Sequence, residues 1–397
     1  MHPVLSIGIY VIMELLTLLF AAACLKDNVC LPKGSRMLRT VYAASAAVFL
    51  LLGMTPVLGA MLPDRSVKFT LQAAGNIWLG FFIYFGGLLL ILFILVCILD
   101  LIRHKKERGR LRLGIFAVSL LTGIVLLLYG MAHAQNTVLT SYEISSQKET
   151  GERKDLKVVL IADLHLSVNS NIPLIRRMVD TINDQDADVV LIAGDIFTSS
   201  YRSLKHPEKY AAILREIKAG DGVYAVYGNH DVEEGLFGGF PVTPISKAFR
   251  SKEMEQFFED SGFTVLYDET VTVADGAVQI TGRIDGEKAG DGTTNRKNPS
   301  EVLAGIDPEK YSIVLQHEPV EFAKLKESGA DLVLCGHTHA GQIFPGNLFT
   351  RFFNENAYGY KIIAGLDTVV TAGIGYYGPP MRVGTNSEIT VINLHLS

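Results

Sequence analysis

Four long apolar runs constrain this chain more than any other feature. A bilayer core about 30 Å thick takes roughly 20 apolar residues wound as a helix. Runs of that length lie at about Val4 to Leu25, Leu38 to Leu62, Ile77 to Ile102 and Leu111 to Ala132. No Lys or Arg precedes Lys26, so the first run lacks the basic flank of a cleaved signal peptide. All four are expected as retained spans, an all-α transmembrane region over residues 1–134. Polar residues 135–154 read as a linker and 155–397 as a separate domain. The division accounts for a composition of 49% hydrophobic and only 19% charged residues, since an apolar half is joined to an ordinary water-facing one.

Basic loops stay on the cytoplasmic side. Lys26, Lys33, Arg36 and Arg39 follow the first run, and Arg103, Lys105, Lys106, Arg108, Arg110 and Arg112 follow the third. Only Arg65 and Lys68 follow the second, and residues 132–147 contain no Lys or Arg. Four spans then place the N-terminus and residues 155–397 outside the cytoplasm. The basic run 103–112 reads as an orientation signal with some contact to anionic lipid. A net charge of −5 gives no reason to expect nucleic acid as a partner. Glu14 inside the first run is either functional or a carboxyl turned into the bundle and bonded to a neighbouring helix. Pro56 is expected to kink the second span, and Gly86-Gly87 to allow close helix packing. The four cysteines, Cys24, Cys30, Cys97 and Cys335, form no CxxC pair, so neither a disulfide framework nor a zinc knuckle is expected; Cys335 reads as a small core residue.

After residue 155 the periodicity changes. Apolar runs at 156–162, 188–193 and 223–227 are short enough for strands buried on both faces. Helical spacing appears between them at about 173–184 and 210–218, and again at 246–261. Strand-like pieces then dominate, at 263–267, 277–281, 312–316, 331–335, 361–364, 368–372 and 388–394. The pattern predicts an α/β layered domain with two packed sheets flanked by helices.

Polar knots close five of these apolar runs: Asp163-Leu164-His165, Gly194-Asp195, Gly228-Asn229-His230-Asp231, His317, and Gly336-His337-Thr338-His339. Open α/β sheets bind ligands at such strand ends. Asp163, His165, Asp195, Asn229, His317, His337 and His339 make a mixed oxygen and nitrogen donor set too large for one tetrahedral zinc. It suits two divalent ions sharing a carboxylate. Such a pair would lower the pKa of a bridging water and neutralise phosphate oxygens. His230 is placed to bond a phosphate oxygen or protonate a leaving oxygen, with Asp231 expected to orient it.

In this order the motifs resemble the calcineurin-like metallophosphoesterases, whose pattern is Asp-x-His, Gly-Asp, Gly-Asn-His-Asp/Glu, His and Gly-His-x-His. The resemblance covers about residues 155–397. It implies a four-layer αββα sandwich, with Asp163, His165 and His339 on one metal, Asn229, His317 and His337 on a second, and Asp195 bridging. It also implies that His230 assists leaving-group departure with Asp231 as its partner, and that the metals are manganese, iron or zinc. Gly336 to Gln342 is similar to a branch of membrane-associated bacterial phosphodiesterases and lipid-linked pyrophosphatases, except that Ala340 replaces a usual glycine and would be strained if the backbone there has positive φ.

Substrate choice is expected from loops between the motifs. Residues 198–209 carry Tyr201, Arg202, Lys205 and His206. Residues 234–245 carry Phe237 and Phe240 and read as a surface lid or a lipid-touching loop. Residues 285–300 carry Arg296 and Lys297. Arg283 reads as a phosphate contact or a surface ion-pair residue. The favoured reading is a membrane-anchored phosphodiesterase or pyrophosphatase acting outside the cytoplasm on a lipid-linked substrate. The alternatives are the same chemistry on a small soluble phosphoester, or a non-enzymatic sensor or scaffold, although the latter would be expected to lack ligands.

Overall fold

A computed structural model of the chain describes residues 3–25, 36–62, 66–103, 109–146, 148, 153, 155–237 and 240–397. Lys26, Cys30, Lys33, Arg65, Lys105, Lys106 and Arg108 lie outside the described residues. The chain divides into two compact units. One is Met1–Ala132 with Leu236–Val242 and Gly378–Met381; the other is His133–Gly235, Thr243–Tyr377 and Arg382–Ser397.

The first unit holds helices α1 (Pro3–Leu25), α2 (Arg36–Gly53), α3 (Thr55–Met61), α4 (Ser66–Arg103) and α5 (Gly109–His133, whose last residue falls in the other unit). Among the described residues, four stretches are long and apolar enough to cross a membrane: Leu5–Leu25, Arg39–Met61, Ser66–Ile102 and Arg110–His133. The second is interrupted at Met54, and Pro56 opens the following helix α3, where its missing N–H costs nothing. Helix α4 starts eleven residues earlier than the apolar run suggested and, with 38 residues, is about 57 Å long. Of the glycine pair in α4, Gly86 lies close to Phe82 and Thr17, while Gly87 faces open space. Glu14 is buried and accepts hydrogen bonds from Trp78 Nε1 (2.6 Å) and the Tyr10 hydroxyl (2.7 Å), so of the two sequence readings the bundle-facing one has the contacts.

The second unit is built on two six-stranded sheets. Its elements in chain order are β1 (Thr137–Ser145), β2 (Asp155–Ile161), α6 (Ile172–Asn183), β3 (Val189–Ala193), α7 (Pro207–Leu214) and β4 (Val223–Val226). A two-stranded ribbon, β5 (Leu236–Phe237) with β6 (Phe240–Pro241), belongs to the first unit. Then come α8 (Lys252–Asp260), β7 (Thr264–Val265), β8 (Glu269–Val273), β9 (Val278–Gly282), α9 (Pro299–Val302), β10 (Tyr311–Leu315) and α10 (Phe322–Glu327). The last are β11 (Leu332–Cys335), α11 (Gly346–Phe353), β12 (Gly359–Ile363), β13 (Leu366–Val370) and β14 (Ser387–His395).

The sheet orders are β1-β14-β2-β3-β4-β7 and β12-β13-β11-β10-β9-β8. Both are mixed: β2, β3, β4 and β7 run parallel, as do β9, β10, β11 and β13, with antiparallel pairs at β14–β2, β12–β13 and β8–β9. Side chains alternate between two cores. Leu156, Val158, Leu160, Leu191 and Ala193 meet Ile280, Ile313, Leu315 and Leu334 between the sheets. Val159, Ile161, Val190 and Ile192 pack instead on Met178, Val179 and Ile182 of α6 and Phe257 and Phe258 of α8. On the far side Val314, Val333 and Cys335 pack on Phe322 and Leu325 of α10. This is the expected four-layer αββα arrangement, and double-sided burial is why the central strands read as unbroken apolar runs.

The expected linker needs correction. Residues 137–145 form strand β1, paired in parallel along its whole length with β14. Its residues alternate between exposed and half-buried positions, which makes an edge strand look like a polar tether in sequence.

Candidate metal centre

All five polar knots sit at the C-terminal ends of parallel strands: β2, β3 and β4 in one sheet, β10 and β11 in the other. The first two are tied backbone to backbone. Asp163 N–H donates to Gly194 O (3.0 Å) and His165 N–H to Asp195 O (3.0 Å). Asp163, His165, Asp195, His337 and His339 all have φ between 47° and 75°, a left-handed conformation costly for residues with a Cβ. Strain of this kind clusters at functional sites. Ala340, at φ 51°, is in the same region, so the position does take the strained conformation that a glycine would adopt freely. Close approach also requires glycine at 228, where a Cβ would stand 2.2 Å from Asp195 Oδ1.

The donor atoms converge. His165 Nε2 and His339 Nε2 are 2.9 Å apart, and His339 Nε2 is 3.6 Å from Asp163 Oδ1. His317 Nε2 lies 3.0 Å from Asn229 Oδ1 and 3.2 Å from His337 Nδ1. Between these groups, Asp195 Oδ2 is 3.1 Å from His317 Nε2 and 3.6 Å from His165 Nε2. Asp163, His165 and His339 form one set with metal-compatible spacing, and Asp163, Asp195 and His317 another. His317 Nδ1 donates to Ala193 O (2.7 Å), because a carbonyl only accepts. That bond turns Nε2 toward the cluster, an orientation typical of a metal-binding imidazole.

The electrostatics show a cluster short of positive charge. Burial pushes the Asp163 carboxyl up to about 7, with His317 opposing and Asp195 adding to the rise. Burial pulls His165 and His337 down to about 3 and His339 well below its ordinary value. Burial also works against Asp195 ionising and His317 protonating, but their mutual attraction prevails: Asp195 is held well below and His317 well above the usual range. Buried carboxylates, lone-pair nitrogens facing each other at hydrogen-bond distance and an amide oxygen are a donor set that fits divalent cations.

Asp231 does not orient His230. Its carboxylate accepts from the backbone N–H groups of Asp195 (3.0 Å), Phe197 (2.9 Å) and Gly228 (2.8 Å), so it braces two knots instead. His230 Nδ1 lies 2.9 Å from Glu234 Oε1, and its ring centroid is 4.5 Å from that of Tyr377. Arg283 is fully buried on Gln316, Lys297 O and Glu321, which makes it neither a phosphate contact nor a surface residue. Arg296 bonds Glu318 and Gln316. Tyr201 packs on Phe197 and Phe257.

Sequence reasoning missed several neighbours. Glu287 accepts from Asn229 Nδ2 (2.9 Å). Arg382, buried and pulled down to about 10 by that burial, donates to Ala372 O, Gly373 O and Gly375 O behind His339. Only Glu234 had a usable signal, four residues after His230. The others sit on segments with no strand end or motif spacing to mark them.

Residues 156–341 match the calcineurin-like phosphoesterase family. This is a calcineurin-like metallophosphoesterase domain. Members of the family are metal-dependent phosphoester hydrolases that use divalent ions. The chain carrying the domain is 28% identical over 296 residues to an uncharacterized metallophosphoesterase of Campylobacter jejuni, covering 74% of this chain and 72% of that one. It is 31% identical over 245 residues to an uncharacterized metallophosphoesterase of Helicobacter pylori, covering 61% and 60%. A transmembrane protein with metallophosphoesterase domain from Danio rerio is 30% identical over 292 residues, covering 70% and 62%. The match thus spans less than two thirds of the last two relatives.

Proposed function

We propose that this protein is a membrane-anchored phosphoesterase with two divalent ions, cleaving phosphodiester or pyrophosphate bonds of a lipid-linked substrate outside the cytoplasm. The observation that carries the two-ion reading is Asp195, one of whose oxygens is within 3.6 Å of an imidazole from each donor set. Asp163, His165 and His339 would hold one ion, Asn229, His317 and His337 the other, and Asp195 both. Bound divalent ions supply an activated water and neutralise charge on phosphoryl oxygens. His230, in contact distance of this cluster through its backbone N–H on Asp195 Oδ1 (2.8 Å), holds a proton for the leaving oxygen. The four apolar helices and the positive-inside distribution of Lys and Arg support the membrane location and orientation. A relative that is a transmembrane protein with the same domain supports the membrane location.

The test is a substrate panel on the purified full-length protein with manganese, comparing monoesters, soluble aryl diesters and lipid-linked pyrophosphates in detergent. The expected result is metal-dependent turnover in which lipid-linked substrate competes with the soluble diester. Good diester hydrolysis with no cleavage of any lipid-linked phosphate would remove the lipid assignment. Protease or thiol labelling of intact cells tests the orientation, and a domain shielded from outside but reachable from the cytoplasm would reverse it.

A further inference from the structure

We propose that Glu234 and Lys288 are positioning residues for His230, Lys288 standing on a loop that also braces Asn229 of the Gly228-Asn229-His230-Asp231 knot. This rests on the reading of His230 as the residue that serves the leaving oxygen. Glu234 is buried, and its Oε1 faces His230 Nδ1 at 2.9 Å. A carboxylate only accepts, so Nδ1 keeps its hydrogen on Glu234, and Nε2 is the nitrogen that carries the second hydrogen to the leaving oxygen. Lys288, also buried, donates from Nζ to both oxygens of Glu234, at 2.9 and 2.8 Å. The ammonium holds that carboxylate in place against the ring. The orientation of the imidazole is therefore what the pair supplies.

The loop is built for this placement. Asp285 Oδ1 accepts from the N–H groups of Glu287 (2.9 Å) and Lys288 (2.8 Å), making a turn that presents both side chains. Glu287 takes the amide of Asn229 (2.9 Å), while Lys288 reaches Glu234. The loop is tied down by Arg250 N–H on Gly290 O (2.8 Å), and the Arg250 guanidinium lies 3.3 Å over the Tyr227 ring, next to the same knot. Glu234 itself is fixed by its N–H on Ser199 O (2.8 Å).

The experiment uses the full-length protein with manganese and aryl phosphate esters whose leaving groups differ, para-nitrophenyl against phenyl. A nitrophenolate departs without a proton, and a phenolate needs one. Glu234→Leu/Lys288→Met removes the acceptor and both charges, and is expected to lose about 100-fold on phenyl esters with little loss on para-nitrophenyl esters. It should match His230→Asn in this respect, and the triple variant should be no worse. Glu234→Gln/Lys288→Met keeps an acceptor for Nδ1–H without charge and should stay close to the unaltered protein on both esters. Manganese binding, measured directly, should not change in either double variant. Equal losses on both leaving groups, losses additive with His230→Asn, or failure of the Gln/Met pair to rescue would each overturn the proposal while leaving His230 its role. If His230→Asn itself showed no leaving-group dependence, the reading of His230 would fall and the proposal with it.

Discussion

Glu14 in the helical unit and Asp195 in the phosphoesterase unit are both acids removed from water, and their surroundings differ in kind. Glu14 receives two neutral donors on one oxygen, Trp78 Nε1 and the Tyr10 hydroxyl, and its Oε2 has no partner among the described residues. Asp195 has a backbone N–H on one oxygen and two imidazoles at the other. Aromatic donors cannot change charge near neutral pH, so they hold a carboxyl as a strut between helices. Imidazoles can exchange a proton for a cation, so the same burial becomes a site with variable charge.

The contrast is broken first at Asp195. Asp195→Asn should lose metal-dependent turnover by more than the roughly 100-fold that removing even an outer partner of a metal ligand can cost, with the circular dichroism of the folded protein retained. Normal turnover in that variant would sink the bridging role. Asp231 comes next, as an acid that braces backbone rather than metal or imidazole. Asp231→Ala strands three buried N–H groups, and thermal unfolding should show a loss of about 3 kcal/mol or more. If stability were instead unchanged while the leaving-group dependence altered, Asp231 would be the partner of His230 after all.

Glu14 should respond more mildly. Glu14→Leu deprives the Trp78 N–H of its acceptor and should cost about 1–3 kcal/mol in detergent melts, whereas Glu14→Gln keeps an acceptor and should fall within about 1 kcal/mol. Turnover unaffected in Glu14→Gln supports the strut reading, and a large loss would make Glu14 a working group. The smallest effect belongs to an exposed pair of acids at the strand edge. Bonds to Asp155 and Glu143 raise the His395 pKa, and bonds from Asn393 and His395 lower that of Glu143. The histidine's contribution is full below its ordinary pKa and is lost as pH rises through the raised value. The Glu143 contribution is full above the ordinary carboxylate range and is lost as pH falls through the lowered one. Melting temperatures of the protein and of His395→Gln should therefore differ most at mildly acidic pH and coincide at alkaline pH. A difference independent of pH would show that the pair contributes only packing.

Much of this was legible in sequence because two physical rules act locally. Hydrocarbon thickness sets the length of an apolar helix, so the four apolar runs could be read directly, although α4 begins before its run, at Ser66. Double-sided burial sets the apolar character of a central strand, so each knot could be placed at a strand end. The strand at 137–145 was not legible, since an edge strand with one wet face alternates weakly and resembles a tether. The partner of His230 was marked only by the spacing of Glu234, four residues on. Asp231 is adjacent in sequence, but the turn points its carboxylate back at the amides of Asp195, Phe197 and Gly228.

Residue types and their spacing alone determined that this chain joins apolar spans to a layered α/β domain, and which seven side chains stand at strand ends with metal-binding chemistry. Only the tertiary structure decided how they share the work. It brought Asp195 between two groups of imidazoles, made Asp231 a brace, and delivered Glu234 and Lys288 to His230 from positions 54 residues apart. Strand ends are specified by local pattern, whereas a contact between distant loops depends on how both sheets, once packed, aim the chain that leaves them.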